Sequence, residues 1–215
     1  MKLQIMDCTK LTKKYLSIFL LPSFLSLVSA SSQNPLEIIR SSNQQVQALL
    51  SQHEIIDPET ETKLFEIIEG VTDFAAISEG TTHPFCKNLT EAQCAEFDQT
   101  FQEPIRISSI KKLGRYRADR FEYLGEDIDK DTAIVKILAF YEDDEVHLDY
   151  HLIHDGEKWL IVNYVVDDVD TIRNYKKQFL RLFARNTFDE IMERLEKKIQ
   201  EYEREYFEPE KPPSG

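Results

Sequence analysis

Glycine is scarce in this sequence, with 6 residues in 215, and the glycines never cluster into a loop that could cradle a phosphate group. Such cradles use the backbone N–H groups of closely spaced glycines, so a phosphate site of this kind is not expected. The sequence also lacks a P-loop and a Ser-His-Asp order typical of a hydrolase. These absences remove the most familiar nucleotide-binding and hydrolytic chemistries.

Apolar runs long enough for a membrane span are lacking as well. The apolar stretch at residues 15–28 has 14 residues, whereas a membrane helix needs roughly 20. It follows the lysine-rich stretch Lys10–Lys14 and precedes the small residues Ser29-Ala30, which is typical of a secretory signal peptide over residues 1–30. The alternative is a short buried helix or a retained anchor. We expect a mature protein that is free in solution outside the cytoplasm.

Cysteine is also rare, with three residues, of which Cys8 lies in the predicted signal peptide. Cys86 and Cys94 remain, and an even number in an oxidising compartment favours a disulfide over two reduced, buried thiols. Closing this short loop contributes roughly 2 to 3 kcal/mol in the chain-entropy model. No histidine or acid repeats with the two cysteines at ligand spacing, so a metal site is not expected there.

Positive charge is in the minority, because 26 Lys and Arg stand against 39 Asp and Glu, a net charge of −13. Residues 1–30 hold four lysines and one aspartate, so removal of the signal peptide leaves a charge near −16. A body this acidic is repelled by nucleic acid and by anionic lipid headgroups. We expect no nucleic-acid partner, and contact with membranes only where a membrane-anchored partner docks the protein.

Apolar spacing divides the mature chain into a helical part (31–115), a sheet (116–167), closing helices (170–207) and a tail (208–215) that is predicted to be disordered. The sheet part contains four apolar runs, and the short polar turns between them imply antiparallel neighbours. The sequence therefore predicts one α+β domain, with N- and C-terminal helices over a curved antiparallel sheet of about four strands. The four runs are Arg117–Leu124, Ala133–Tyr141, Val146–Ile153 and Trp159–Val166.

Capping residues mark several helix starts. Asn34, Asp57 and Asp170 are each placed to accept free N–H groups of a first helical turn. Thr90–Gln93 forms a capping box, in which the two side chains accept each other's backbone N–H groups. Pro104 has no N–H to donate, so we expect it to end or kink its helix.

The segment from Trp159 to Phe179 joins an apolar strand to an amphipathic helix through an acidic turn. Its sequence, WLIVNYVVDDVDTIRNYKKQF, resembles the pattern W-x-V-x-D-V-x-x-E/D-G-x-S-x-x-x-N-Y-R-x-Q-F of the MlaC (toluene-tolerance) family, and a looser similarity covers residues 54–199. The matching positions are Trp159, Asp167, Asn174, Tyr175, Gln178 and Phe179. The departures are Asn163 for Asp, Asp168 for Gly, Asp170 for Ser and Lys176 for Arg.

The resemblance implies a nuclear-transport-factor-2-like sheet and a periplasmic, phospholipid-binding shuttle. In this family the carrier passes lipid between membrane-anchored complexes of the outer and inner membranes, the latter an ABC transporter. We expect no catalytic activity, no cofactor and a monomer. A related carrier of another apolar lipid, such as a hopanoid, is the close alternative.

Large apolar side chains face inward in excess, and two interpretations of them remain open. One is an ordinary hydrophobic core. The other is that sheet and helices enclose the acyl chains of a lipid, in which each buried methylene contributes about 0.8 kcal/mol. The candidate lipid-binding residues are Phe74, Phe97, Phe101, Ile105, Leu148, Tyr150, Leu152, Trp159, Tyr175, Phe179 and Leu182.

A different class of function rests on His147, Asp149 and His151. A strand places these three side chains on one face, where two imidazoles and a carboxylate are suitable metal ligands. The same alternation is also typical of any half-exposed strand with a solvated face. An enzyme or metal protein of the same fold is therefore the second alternative.

Overall fold

The computed structural model describes residues 34–53, 56–115, 117–141 and 144–207. Within these ranges four helices precede a five-stranded antiparallel sheet and two helices follow it, which confirms the predicted α+β class. The strands lie in chain order, and none of the described helices is long and apolar enough to cross a bilayer. The elements are α1 (Pro35–Gln52), α2 (Pro58–Glu69), α3 (Phe74–Cys86), α4 (Glu91–Arg115), β1 (Arg120–Asp129), β2 (Thr132–Tyr141), β3 (Asp144–His154), β4 (Trp159–Val166), β5 (Val169–Asp170), α5 (Thr171–Phe183) and α6 (Phe188–Phe207).

The predicted capping residues begin their helices. Asn34 and Asp57 each accept an N–H of the first turn at 2.8 Å, and Asp170 accepts one at 2.7 Å. In the capping box, Thr90 Oγ1 accepts the Gln93 N–H at 3.2 Å while Gln93 Oε1 accepts the Thr90 N–H at 3.0 Å. Because these contacts span only three residues, sequence alone is enough to place the helix starts.

The helix α4 continues past Pro104 to Arg115, so of the two expected effects of this proline, an end or a kink, the end is wrong. Proline removes one backbone hydrogen bond from a helix, which weakens it locally. Phe101 and Ile105, on either side of the proline, are almost completely buried in the core between the helices. Burial of these side chains outweighs the lost hydrogen bond.

The apolar side chains form two cores. The larger one lies among the helices and has Phe97, Phe101 and Phe179 near its centre. The smaller one lies on the sheet and includes Leu152 of β3. Helix α1 contributes to both, because Ile39 belongs to the sheet core and other residues of its stripe to the helical core. This helix therefore spans the space between the two cores.

A two-residue turn, Asp167-Asp168, connects β4 to the short strand β5 that the sequence did not predict. Both residues have positive φ, 47° and 64°, which is typical of a type I′ turn. The Oδ1 atom of Asp167 accepts the His147 N–H at 2.9 Å and so ties the turn to β3. Asp168 receives no such bond from a described residue, and glycine is better suited to its backbone conformation.

The variant Asp168→Gly is expected to raise the free energy of unfolding by about 0.5 to 1 kcal/mol, since glycine removes the steric cost of a Cβ atom at positive φ. Urea denaturation of wild type and variant measures this. Glu157→Gly is the matched control, because Glu157 is exposed in the loop after β3 and its φ is not positive. The control is expected to leave stability unchanged or lower it. A loss of stability in Asp168→Gly as large as in the control contradicts the expectation.

Candidate functional site

A cavity of about 450 Å³ lies between the inner face of the sheet and the helices α1, α2, α3 and α4. Strands β3 and β4 form one wall, and α1 with the segment that joins α2 to α3 forms the opposite wall. Most of the lining is apolar or aromatic. It comprises Ile39, Val46, Ile68, Val71, Phe74, Tyr141, Val146, Leu148, Tyr150, Ile161, Tyr164 and Val166.

Besides the tyrosines, five polar residues line the cavity among the described residues. Ser42 and Asn43 come from α1, Thr72 precedes α3, Ser109 belongs to α4, and Asp167 follows β4. Asp167 is also exposed, so the cavity reaches solvent at this turn. No Lys, Arg or His occurs among the described lining residues. The cavity therefore suits a long apolar group and offers no countercharge to a buried anion.

The structure separates the candidate lipid-binding residues into three sets. Phe74, Leu148 and Tyr150 line the cavity. Leu152 and Trp159 lie in the core on the sheet. The six others lie in the helical core or pack against it, and their contact with a lipid stays a prediction; they are Phe97, Phe101, Ile105, Tyr175, Phe179 and Leu182.

Several tyrosines supply hydroxyl groups near the cavity. Burial raises the pKa of the Tyr150 phenol well above its ordinary value, and burial raises the pKa of Tyr175 to about 12. Both phenols are therefore protonated at neutral pH and can donate hydrogen bonds. The hydroxyl of Tyr164 lies 3.5 Å from Ser109 Oγ, which gives it a partner across the cavity.

His147, Asp149 and His151 lie on β3 between the residues that line the cavity, and none of the three lines it. His147 Nε2 is 3.1 Å from Glu145 Oε1 on the exposed face of the strand. Among the described residues, no group of three or more His, Cys, Asp or Glu side chains could hold a metal ion. The metal alternative therefore has no site in the described part of the chain.

Cys86 and Cys94 form a disulfide, as predicted, with 5.1 Å between their Cα atoms. The bridge joins the end of α3 to the first turn of α4. Beside it, Phe85 stacks on Phe183 with 5.0 Å between ring centroids and meets the edge of Phe97 at 6.4 Å. The disulfide thus fastens two helices around the aromatic core.

A second, wider concavity of about 810 Å³ lies between the end of α3 and helix α5. We call it the basic groove; apolar residues (Phe85, Leu89, Phe183 and Phe188) and cations (Lys87, Arg173, Lys176 and Lys177) line it. Residues 171–186 contain five Lys or Arg and no Asp or Glu, in a chain whose net charge is −13. None of these five cations pairs with a carboxylate among the described residues. The groove is therefore locally positive, although the protein as a whole is negatively charged.

The sequence pattern did not predict that α1 forms a wall of the cavity. Ile39, Ser42, Asn43 and Val46 all line it, although they lie about a hundred residues before β3 in the chain. The one available signal is the amphipathic stripe that contains Ile39 and Val46. A stripe shows that a helix covers something apolar, and it does not specify whether the neighbour is a core or a cavity.

Comparisons with known proteins match the chain to a family model and to solved structures. A family model described as MlaC protein matches residues 40–197. A solved structure of a phospholipid-binding protein from Ralstonia solanacearum, in complex with a phospholipid, superposes with a TM-score of 0.65 at 15% sequence identity; the match covers 80% of this chain and 99% of that one. No curated protein matches the chain. At this identity the superposition establishes a shared fold.

Proposed function

Because the chain belongs to the MlaC family, whose model matches residues 40–197, we propose that it binds a phospholipid. An acyl chain of this lipid lies in the cavity between the sheet and the helices. The observation that carries this proposal is the apolar cavity of about 450 Å³, which opens to solvent at Asp167. The phospholipid bound to the Ralstonia solanacearum protein of the same fold supports it. The headgroup then remains at the opening, in water.

The volume sets how much of a lipid this conformation holds. An apolar cavity of about 150 Å³ accommodates benzene, so the cavity of about 450 Å³ accommodates on the order of 18 carbon atoms. This corresponds to about one acyl chain of a phospholipid. A second chain requires the helices that line the cavity to move outward from the sheet.

We further propose that the protein is a periplasmic shuttle, which takes lipid from one membrane-anchored complex and delivers it to another. Burial of each methylene contributes about 0.8 kcal/mol in a protein cavity, and a bilayer offers the same gain. Transfer between the two is therefore close to balance, so a carrier of this kind can unload. The predicted signal peptide, which lies outside the described residues, and the disulfide Cys86–Cys94 support the compartment.

The basic groove is the surface at which we expect a partner to dock. Arg173, Lys176 and Lys177 present positive charge beside an apolar floor, while Leu180 next to them is 66% exposed. Complementarity requires a partner segment that carries carboxylates together with apolar side chains. A concave groove fits a protruding protein segment better than a flat bilayer surface. We therefore commit to an acidic, partly apolar segment of a membrane-anchored protein.

The triple variant Arg173→Glu/Lys176→Glu/Lys177→Glu is expected to weaken binding of such segments by about tenfold or more, because attraction becomes repulsion. Peptides selected on the wild-type protein from a displayed random library serve as probes, and fluorescence anisotropy measures their affinities. The peptides are expected to be rich in Asp, Glu and apolar residues.

The control for this experiment is Lys130→Glu/Lys136→Glu/Lys158→Glu, which makes the same charge change at exposed positions outside the groove. Selected peptides are expected to bind the control as they bind wild type. Equal binding to wild type and to the groove variant contradicts the docking surface. The proposal is also contradicted if the wild-type protein sediments with phosphatidylglycerol vesicles and the groove variant does not. That result would show that the groove binds a membrane surface.

Native mass spectrometry of the mature protein, purified from an oxidising compartment, tests the proposed function. We expect a stoichiometric adduct of phospholipid mass, and organic extraction then identifies the lipid. A bare protein that also takes up no lipid from offered vesicles overturns the proposal. A hopanoid in the extract in place of phospholipid changes the cargo to another apolar lipid.

A further inference from the structure

Tyr150 lines the cavity, and its hydroxyl has no hydrogen-bond partner among the described residues. The residue lies in the middle of β3, and its side chain lines the cavity. The neighbouring hydroxyls of Tyr123 and Tyr164 have partners, Asn43 Nδ2 at 3.4 Å and Ser109 Oγ at 3.5 Å. The Tyr150 hydroxyl forms no hydrogen bond with any described residue. Tyr150 is half-buried, and a phenol hydroxyl at a cavity wall without a protein partner is free to hydrogen-bond to a ligand or to water in the cavity.

The Tyr150 hydroxyl is a donor under all ordinary conditions, because burial raises the pKa of this phenol and keeps it protonated. It can therefore donate to an acceptor atom of a lipid that occupies the cavity.

A phospholipid offers two kinds of acceptor, and the cavity suits only one of them. A phosphate oxygen carries negative charge, and burial of that charge requires a cation nearby. The described cavity lining contains no Lys, Arg or His, and it does contain the carboxylate of Asp167. An ester carbonyl oxygen is neutral and lies between the headgroup and the acyl chain, so it can enter an apolar cavity with a single donor.

We propose that Tyr150 donates a hydrogen bond to an ester carbonyl oxygen of the bound lipid. The proposal rests on the proposed function. It assigns the cargo to acyl-ester lipids and distinguishes them from ether-linked lipids of the same headgroup and chain length. Ser42, which is 8% exposed and lines the cavity from α1, is a second hydroxyl on the opposite wall.

The test compares two synthetic probes, a diacyl phosphatidylethanolamine and its dialkyl ether analogue with equal chain lengths. Lipid-stripped protein is offered each lipid alone and both in competition, and bound lipid is quantified by mass spectrometry. Wild type is expected to prefer the diester by about three- to tenfold, the effect of one hydrogen bond. Tyr150→Phe is expected to lose affinity for the diester by that factor, to retain its affinity for the diether, and so to lose the preference.

Tyr123→Phe is the matched control, because it removes a phenolic hydroxyl that is bonded to Asn43 and does not line the cavity. Its ester preference is expected to equal that of wild type. If Tyr150→Phe loses affinity for the diester and for the diether equally, the proposal is overturned, because Tyr150 then contributes only packing. Absence of any ester preference in wild type also overturns it, since the hydroxyl is then satisfied by water. A wild-type protein that binds neither lipid overturns the proposed function itself.

Discussion

Leu148→Trp combined with Val166→Trp is expected to remove bound lipid from the purified protein. The two residues are direct partners in the register of β3 and β4, and both line the cavity. Two indole rings at this point occupy space that an acyl chain needs. Exclusion of only two methylenes from the cavity removes about 1.6 kcal/mol of binding free energy and lowers the affinity for lipid by about tenfold. Exclusion of most of an acyl chain therefore abolishes binding. Native mass spectrometry with lipid extraction measures the remaining adduct.

The control for this double variant is Ile153→Trp combined with Leu160→Trp. These residues are also direct cross-strand partners on β3 and β4, and neither lines the cavity. This control is expected to retain stoichiometric lipid, and circular dichroism of both variants verifies folding. Stoichiometric lipid in the folded Leu148→Trp/Val166→Trp protein contradicts the placement of cargo in the cavity.

Phe97→Ala is expected to lower the free energy of unfolding by about 3 to 5 kcal/mol, the usual loss for a fully buried phenylalanine. Phe97 is 0% exposed and lies at the centre of the helical core. The ring centroids of Phe85, Phe101, Phe179 and Phe183 lie 4.8 to 6.4 Å from its own. Truncation removes contacts to all four rings and leaves a cavity that a rigid bundle fills poorly. Guanidinium denaturation measures the loss.

The same variant tests whether Phe97 contacts lipid, as the sequence suggested. Its destabilisation is expected to be equal in lipid-free and lipid-loaded protein, because the residue does not line the cavity. A larger loss in the loaded protein places Phe97 against the cargo and contradicts this expectation. Leu180→Ala is the control, since Leu180 is 66% exposed on α5 and its truncation is expected to change stability by about 0.5 kcal/mol or less.

The family and the α+β class were both predictable from the sequence, and each rests on short-range patterns. The segment from Trp159 to Phe179 carries the family resemblance within 21 residues, and the match over residues 40–197 confirms it. The antiparallel sheet follows from alternating apolar residues with short turns between them, which force neighbouring strands to pair. Strand β5 was missed because a two-residue strand has no periodicity to recognise.

The candidate site was only partly predictable. Leu148 and Tyr150 were identified because alternation along β3 assigns them to one face of the sheet. Phe97 and Phe179 were candidates on the same grounds; they pack in the helical core, and their contact with a lipid stays a prediction. An apolar side chain that faces a core and one that faces a cavity have the same spacing in sequence. The choice between them depends on which helix lies opposite.

Local chemistry in the sequence determined where helices and strands begin, which cysteines pair and which family the chain belongs to, because caps, alternation and an even cysteine count act over a few residues. Tertiary structure alone decided three features. It placed α1 across the cavity from β3, left the Tyr150 hydroxyl without a partner among the described residues, and brought the end of α3 beside α5 to form the basic groove. Each requires elements that are distant in sequence to meet, and long-range packing, which periodicity does not encode, determines which of them meet.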